Sequence, residues 1–314
     1  MRGGAAGGHT PVVLILRALG LGDFLAGLPA LKALARAFPD HRRILAAPAP
    51  LEPLVRLSGT VHSLLPTAPL APVDWTRPEV AVNLHGRGPE SHRLLLATEP
   101  GRLLAFRNGQ VPGTDAFPEW TPDEHEVRRW CRLLRGFGVP ADPRELALPA
   151  PGVPAPAGVR GALLIHPGAS HPARRWPADR WATLARMEKG AGQKVALTAG
   201  PGEDELAYGI AEAAGLPRRA VLTGLDLEEL AAAVSAAERV VSGDTGVAHL
   251  ATALDRPSVV IFGPVPPTLW GPPPGKRHRV LWAGRTGDPH AGEPGRGLLE
   301  ISPEQVAVAL RQVA

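Results

Sequence analysis

Arg239-Val240-Val241-Ser242-Gly243-Asp244-Thr245-Gly246-Val247-Ala248-His249-Leu250-Ala251 runs from an apolar segment, through a Gly-Asp-Thr-Gly turn, straight into an alanine-rich helical pattern. A strand that ends in such a turn and restarts at once as a helix is part of a βαβ unit, the element of a parallel sheet. The junction aims several backbone N–H groups and the positive end of a helix dipole at one point, which suits a phosphate. Asp244 and Thr245 add side-chain groups beside that point, and His249 lies about one turn into the helix. A purely structural account is equally available here. Asp244 would then be the helix N-cap, accepting from N–H groups two or three residues on.

Working outward, the same alternation fills the second half of the chain. Strands are predicted at Ala162–Ile165, Lys194–Thr198, Arg239–Val241 and Ser258–Phe262, and helices at Pro177–Lys189, Asp204–Ala214 and Leu227–Ala236. Pro177 suits a first helical position. A Pro-rich loop covers Gly263–Gly275, and Ser302 can cap a last helix, Pro303–Val313. The first half repeats the scheme. Strands are predicted at Val12–Leu16, Arg43–Ala46 and Val80–Leu84. Phe24, Leu25, Leu28, Leu31, Leu34 and Phe38 stand at helical spacing, and Glu124–Leu134 reads as a helix. Between residues 146 and 161 lie four prolines and three glycines, too many for regular structure. The expected organisation is an α/β fold of two Rossmann-like domains with parallel sheets. It runs as 1–150, a Pro-rich linker 151–160, a second domain 161–301, and a terminal helix 302–314 that packs back on the first domain. Ligands in such sheets bind at the carboxyl ends of the strands, here facing a cleft between the domains.

Bulk properties agree with a folded enzyme. The 314 residues fit two domains of roughly 150 each, and an apolar content of 44% supplies two cores. No apolar run approaches the ~20 residues that span a bilayer. Val12–Leu16 follows a Gly-rich start with a single Arg and no cleavage-site pattern, which is not a signal peptide. A lone cysteine, Cys131, excludes an internal disulfide framework and a cysteine-based zinc site. The expected location is the cytoplasm, with at most peripheral membrane association. Net charge is +4 with a pI near 9.8, and four of the 34 basic residues are Lys, the rest Arg. These charges are scattered, with no nucleic-acid-binding motif among them, so nucleic acid is not an expected partner.

Three loops after strands of the second half carry polar groups. His166-Pro167-Gly168-Ala169-Ser170-His171-Pro172-Ala173-Arg174-Arg175-Trp176-Pro177 combines a Gly, a hydroxyl, two Arg and a Trp before a helix. It suits a diphosphate. Solvated arginines and a packed Trp176 are the structural alternative. Ala199-Gly200-Pro201-Gly202-Glu203-Asp204-Glu205 places a carboxylate where ribose hydroxyls are bound in related folds, although acidic residues favour any helix N-terminus. The Gly-Asp-Thr-Gly turn is the third. In the first half, Arg17-Ala18-Leu19-Gly20-Leu21-Gly22-Asp23 follows a strand, and Asp23 is either a helix cap or a general base for an incoming hydroxyl. The third glycine of a dinucleotide fingerprint is replaced by Leu25. Asn83-Leu84-His85-Gly86-Arg87-Gly88-Pro89 offers His85 and Arg87 on the same side.

Taken in order, Gly20-Leu21-Gly22-Asp23, His166-Pro167-Gly168-Ala169-Ser170 with Arg174-Arg175-Trp176-Pro177, Gly200-Pro201-Gly202-Glu203, and Ser242-Gly243-Asp244-Thr245-Gly246 with His249-Leu250-Ala251 resemble glycosyltransferase family 9, the ADP-heptose:lipopolysaccharide heptosyltransferases and their relatives. The resemblance implies a GT-B architecture, two Rossmann-like domains with the nucleotide sugar held mainly by the second. It implies inverting transfer with no essential metal or other cofactor. By position, Asp23 matches the catalytic base. Ser170, Arg174, Glu203, Asp244, Thr245, Gly246 and His249 fall on the donor side, with Glu203 toward the ribose, and Gly22, His85 and Arg87 are acceptor-side candidates. The family usually has Lys where this chain has Arg174, which keeps the charge and changes a point charge into a planar fork.

The implied reaction is attack of an acceptor hydroxyl, deprotonated by Asp23, on the anomeric carbon of a nucleotide sugar such as ADP-heptose. Arg174, the Thr245 and Gly246 amides and the helix dipole would absorb charge on the leaving diphosphate. The acceptor could be a glycan, a lipid-linked sugar or a small molecule. Two other readings use the same nucleotide half. One is a GT-B-like nucleotide-sugar epimerase or hydrolase, and the other a non-catalytic nucleotide-sugar-binding protein.

Overall fold

The computed structural model describes residues 10–313. The start of the chain through residue 9, read above for a leader, and residue 314 lie outside the described residues. The chain divides into two compact units. One comprises residues up to Gly20, Gly27–Pro122 and Val127–Glu145, and the other Leu21–Ala26, Asp123–Glu126 and Leu146 onward.

The first unit is built on strands β1 (Val12–Leu16), β2 (Arg42–Ala47), β3 (Ser63–Pro66), β4 (Val80–Asn83) and β5 (Arg102–Leu104), all parallel in the order β3-β2-β1-β4-β5. Helix α1 (Leu21–Ala37) follows β1, then α2 (Glu52–Ser58), α3 (Glu90–Leu96) and α4 (Glu126–Gly136). Every residue of β1 is buried, as expected for a central parallel strand covered on both faces. Leu14, Leu16, Ile44, Ala46, Ala81, Leu95 and Leu103 form one core cluster.

The second unit contains β6 (Leu163–His166), α5 (Ala178–Gly190), β7 (Val195–Thr198), α6 (Asp204–Ala213), β8 (Val221–Leu222), α7 (Leu227–Ala236), β9 (Arg239–Gly243), α8 (Gly246–Ala253), β10 (Ser258–Ile261), α9 (Pro267–Trp270), β11 (His278–Leu281), α10 (Arg296–Leu299) and α11 (Pro303–Leu310). Its six parallel strands run β8-β7-β6-β9-β10-β11. The order reverses between β6 and β9, where His166 stands opposite Ser242. In open α/β sheets that reversal is where ligands bind. The loops after these two strands carry Arg174, Arg175, Asp244 and Thr245.

Several expectations need correction. The segment 146–161 has no helix or strand, but it clusters with the second unit. Leu148 donates its N–H to Ala253 (2.8 Å), and Leu148 and Val159 are buried. Helix α11 packs within the second unit, against α5 and β10, instead of returning to the first. Val306, Ala307 and Leu310 join the apolar core there, and Arg239 donates to the Leu310 carbonyl (2.9 Å). Pro177 is the N-cap of α5 and not its first residue. The Pro-rich loop contains the helical turn α9. Strands β3, β5, β8 and β11 were not expected: they are the sheet edges, none is buried along its whole length, and none is therefore a continuous apolar run.

Candidate active site

The N-terminus of α8 is built by a division of labour that the sequence left open. Thr245, not Asp244, is the N-cap, with extended backbone and no side-chain cap bond. Asp244 is withdrawn from capping by Arg174. One Nη of that guanidinium donates to the Asp244 carboxylate (2.7 Å) and also to its backbone carbonyl. Burial raises the Asp244 pKa, and the charge and hydrogen bond of Arg174 oppose that rise. The Thr245 Oγ1 is buried and, among the described residues, has no partner, as is the Nε of Arg174. Gly246 opens the helix, and the first turn leaves backbone N–H groups without intrahelical acceptors. An orphaned hydroxyl beside such amides is the donor set expected of an anion site.

Asp23 stands at the third position of α1, whose N-cap is Gly20. It is therefore not the helix cap. Leu21–Ala26 cluster with the second unit, and two glycines show how closely. A Cβ on Gly22 would lie 3.0 Å from His249 Cδ2 and 3.6 Å from Gly246 Cα. A Cβ on Gly246 would lie 2.8 Å from Leu21 side-chain carbons. Only at glycine can the first turns of α1 and α8 approach to this distance. Gly22, an acceptor-side candidate, thus sits against His249.

His249 is held neutral. Burial pushes its pKa down to about 4, Asp23 works against that shift, and His125 and Arg174 add to it. Trp270 of α9 meets the imidazole edge-to-face with centroids 5.8 Å apart. His125, whose ring pairs with the Gly271 carbonyl (2.9 Å), and Glu126 also act on His249. Sequence reading assigned no role to His125, Glu126 or Trp270. The first two sat inside a helical pattern and the third inside a Pro-rich loop, so only tertiary proximity reveals them.

The second loop is held by Glu203. Its carboxylate accepts from the Gly200 N–H (3.1 Å) and pairs with Arg175 (3.4 Å), and it fills the place a Cβ on Gly168 would take. Arg175 also donates to the Ala169 carbonyl (2.8 Å). The consecutive arginines therefore serve different partners, Arg174 the α8 turn and Arg175 the Glu203 loop. Ser170 is exposed. Trp176 is a packing residue, buried against Trp181 and donating to the Ile301 carbonyl (3.0 Å). His166, at the end of β6, is buried beside Thr198 Oγ1 (3.1 Å), and burial pushes its pKa down to about 4.

In the first unit, His85 and Arg87 follow β4. Asn83 organises this loop, accepting from the His85 N–H (2.9 Å) and meeting Ser91 and His92 (both 2.9 Å) through its amide nitrogen. His85 Nδ1 is buried without a partner among the described residues, and burial and Arg17 both lower its pKa. Arg17, to which sequence reading gave no role, is buried, donates to the Leu84 carbonyl and lies over the Trp130 ring at 5.0 Å. Arg87 is exposed. Among the described residues no group of three His, Cys, Asp or Glu could hold a metal ion, and no helix is long and apolar enough to cross a membrane.

The family model for glycosyltransferase family 9 (heptosyltransferase) matches residues 119–294, more than half of the chain. The chain belongs to glycosyltransferase family 9. A family 9 relative, lipopolysaccharide heptosyltransferase 1 of Escherichia coli K12, is 38% identical over 99 residues, which are 31% of this chain and 30% of that protein. The chain thus aligns with under a third of the length of that curated relative. Over nearly its whole length the fold matches the E. coli ADP-heptose lps heptosyltransferase II, with a TM-score of 0.74 at 21% identity, covering 95% of this chain and 97% of the other. An iron-containing dodecameric glycosyltransferase from enterotoxigenic E. coli matches with a TM-score of 0.60 at 16% identity, covering 96% and 75%. Two parallel-sheet α/β domains, the GT-B fold of family 9, are therefore the architecture of this chain.

Proposed function

We propose that the chain is an inverting glycosyltransferase that moves a heptose-type sugar from ADP-heptose, or a closely related nucleotide sugar, to a hydroxyl acceptor. The observation that carries this reading is the close approach of the first turns of α1 and α8 through Gly22 and Gly246, which sets Asp23 beside His249 and next to an amide-rich helix N-terminus. A carboxylate that takes a proton and amides that receive a departing diphosphate are the two functions inverting transfer requires. The acceptor O–H gives its proton to Asp23 as its oxygen bonds to the anomeric carbon, and the bond to the diphosphate oxygen breaks on the opposite face. Negative charge on the leaving group is taken up by the α8 amides and the Thr245 hydroxyl, with Arg174 setting the turn through Asp244. Glu203 serves the ribose, and Ser170, His85 and Arg87 remain candidate substrate contacts. These groups supply the charge stabilisation by themselves, so the reading calls for no metal. Cytoplasmic placement, with at most peripheral membrane association, is part of the same proposal.

The test is a donor screen followed by turnover. ADP and ADP-heptose should raise the thermal midpoint, since a ligand at 100 times its Kd stabilises by about 2.7 kcal/mol, whereas GDP and UDP should not. Sugar release should then depend on an added glycosyl acceptor. Equal stabilisation by all three nucleotides, or turnover indifferent to any acceptor, would sink the assignment.

A further inference from the structure

A second cluster of nitrogen ligands lies outside everything used above. His171, in the loop after β6, and His290, in the loop between β11 and α10, meet with Nε2 of the first 3.2 Å from Nδ1 of the second. Their rings are almost perpendicular, at 88°, with centroids 4.6 Å apart. We propose that this pair is a binding site for one divalent transition-metal ion of the zinc class. Two imidazole nitrogens bound to one ion at about 2.0–2.1 Å stand roughly 2.8–3.4 Å apart at bond angles between square and tetrahedral. The observed separation falls in that interval. Imidazole is the ligand that suits zinc, nickel and copper.

The pair is pre-organised by its backbones, so an ion need not order the loops. Ala173 donates its N–H to Ala291 (3.2 Å), and Gly295 donates to the Ala173 carbonyl (3.0 Å). The first of these bonds fixes each loop within two residues of its histidine. The Asp288 carboxylate accepts from the backbone N–H of His290 (2.9 Å) and holds that residue in place. Without an ion, one ring nitrogen must donate to the other. On binding, the shared proton moves to the outward nitrogen of its own ring, a tautomer change that leaves both imidazoles neutral and frees two lone pairs for the ion. No third His, Cys, Asp or Glu completes the group among the described residues, so water fills the remaining positions. His290 is exposed, which gives the ion access. A bound ion ties the 284–295 loop to the loop that carries Arg174 and Arg175.

Titrating Zn2+ into the metal-free full chain by calorimetry tests the site. Wild type should bind one ion through this pair, and His171→Ala and His290→Ala should each weaken it by at least about tenfold, since loss of even an outer partner typically costs ~10–100-fold. His290→Gln keeps a hydrogen-bonding group and removes the imidazole, so it should lose the ion as well. His62→Ala, at an exposed histidine far along the chain, should bind as wild type does. Cu2+ in place of Zn2+ should show two coupled nitrogens by electron paramagnetic resonance in wild type and one in either alanine variant. Metal-free thermal midpoints confirm that the variants fold. Absence of Zn2+ binding in wild type, wild-type affinity in the His171 and His290 variants, or equal weakening in His62→Ala each overturns the proposal.

Discussion

Asp23 and Arg174 are the residues at which side-chain chemistry can be separated from packing. Asp23 occupies the third position of α1, so Asp23→Asn removes a carboxylate that the helix dipole favours by about 0.3–1 kcal/mol. The variant keeps the shape of the side chain and should still fold, while transfer should fall by roughly 10²–10⁴-fold. Near wild-type turnover in Asp23→Asn would require a different base. Arg174 is 27% exposed and pairs with a carboxylate that is 5% exposed. Arg174→Ala therefore strands a buried charge, and both stability and donor affinity should drop. Adding Asp244→Asn should recover stability but not affinity, and chemical denaturation with ADP titration on the single and double variants reads both. A loss of stability that Asp244→Asn fails to repair would argue that Arg174 acts by packing. His166 gives a pH signature. Its folded pKa is about 4 against an ordinary 6.5, so between these values the unfolded chain binds more protons than the folded one. Its contribution is complete above pH 6.5 and is lost as pH falls toward 4. From pH 7 to 5 this one residue should cost about 2 kcal/mol. His166→Asn should lose correspondingly less over the same interval in urea titrations.

At the scale of elements, the approach of α1 to α8 decides the site. Thr245→Val replaces a buried hydroxyl that has no partner among the described residues with an isosteric methyl, so folding should be unharmed and ADP affinity should fall. Gly246→Ala differs in kind. Its Cβ would lie 2.8 Å from Leu21 carbons, including Cβ, so a helix must shift. Its thermal midpoint and its turnover should both drop, and the turnover loss should exceed that of Thr245→Val because Asp23 rides on the displaced turn. If the two variants behaved alike in stability, the glycine contact would not be holding these helices.

At the scale of the whole molecule, the terminal helix α11 completes the second core. Val306, Ala307, Leu310 and Val313 pack with residues of α5, β9 and β10, and Trp176 and Arg180 donate to the Ile301 carbonyl just before the helix. Ending the chain at Ser302 should lower the calorimetric transition of the second unit and abolish ADP binding, while the transition of the first unit stays in place. A truncated chain that kept ADP affinity would show that α11 is dispensable to ADP binding.

The sequence alone determined the class of fold and most of its elements. Buried parallel strands are continuous apolar runs, as in Val12–Leu16 and Val259–Ile261, and helices such as Leu227–Ala236 carry their period and their caps locally. It also marked the Gly-Asp-Thr-Gly turn and the loops around it, because glycine and polar residues that close a strand-to-helix junction are contiguous along the chain. What it could not determine depends on which residues meet through space. Local rules allowed Asp244 as a cap, and an arginine seventy residues earlier in the chain took it for an ion pair. Periodicity placed a terminal helix at Pro303, but it was expected on the first domain, whereas its apolar face enters the second core. Asp23 and His249 are 226 positions apart in the chain, and only the packing of Gly22 against Gly246 makes them neighbours. Composition and period are read along one chain, whereas charge, burial and pKa are set by everything folded around a group.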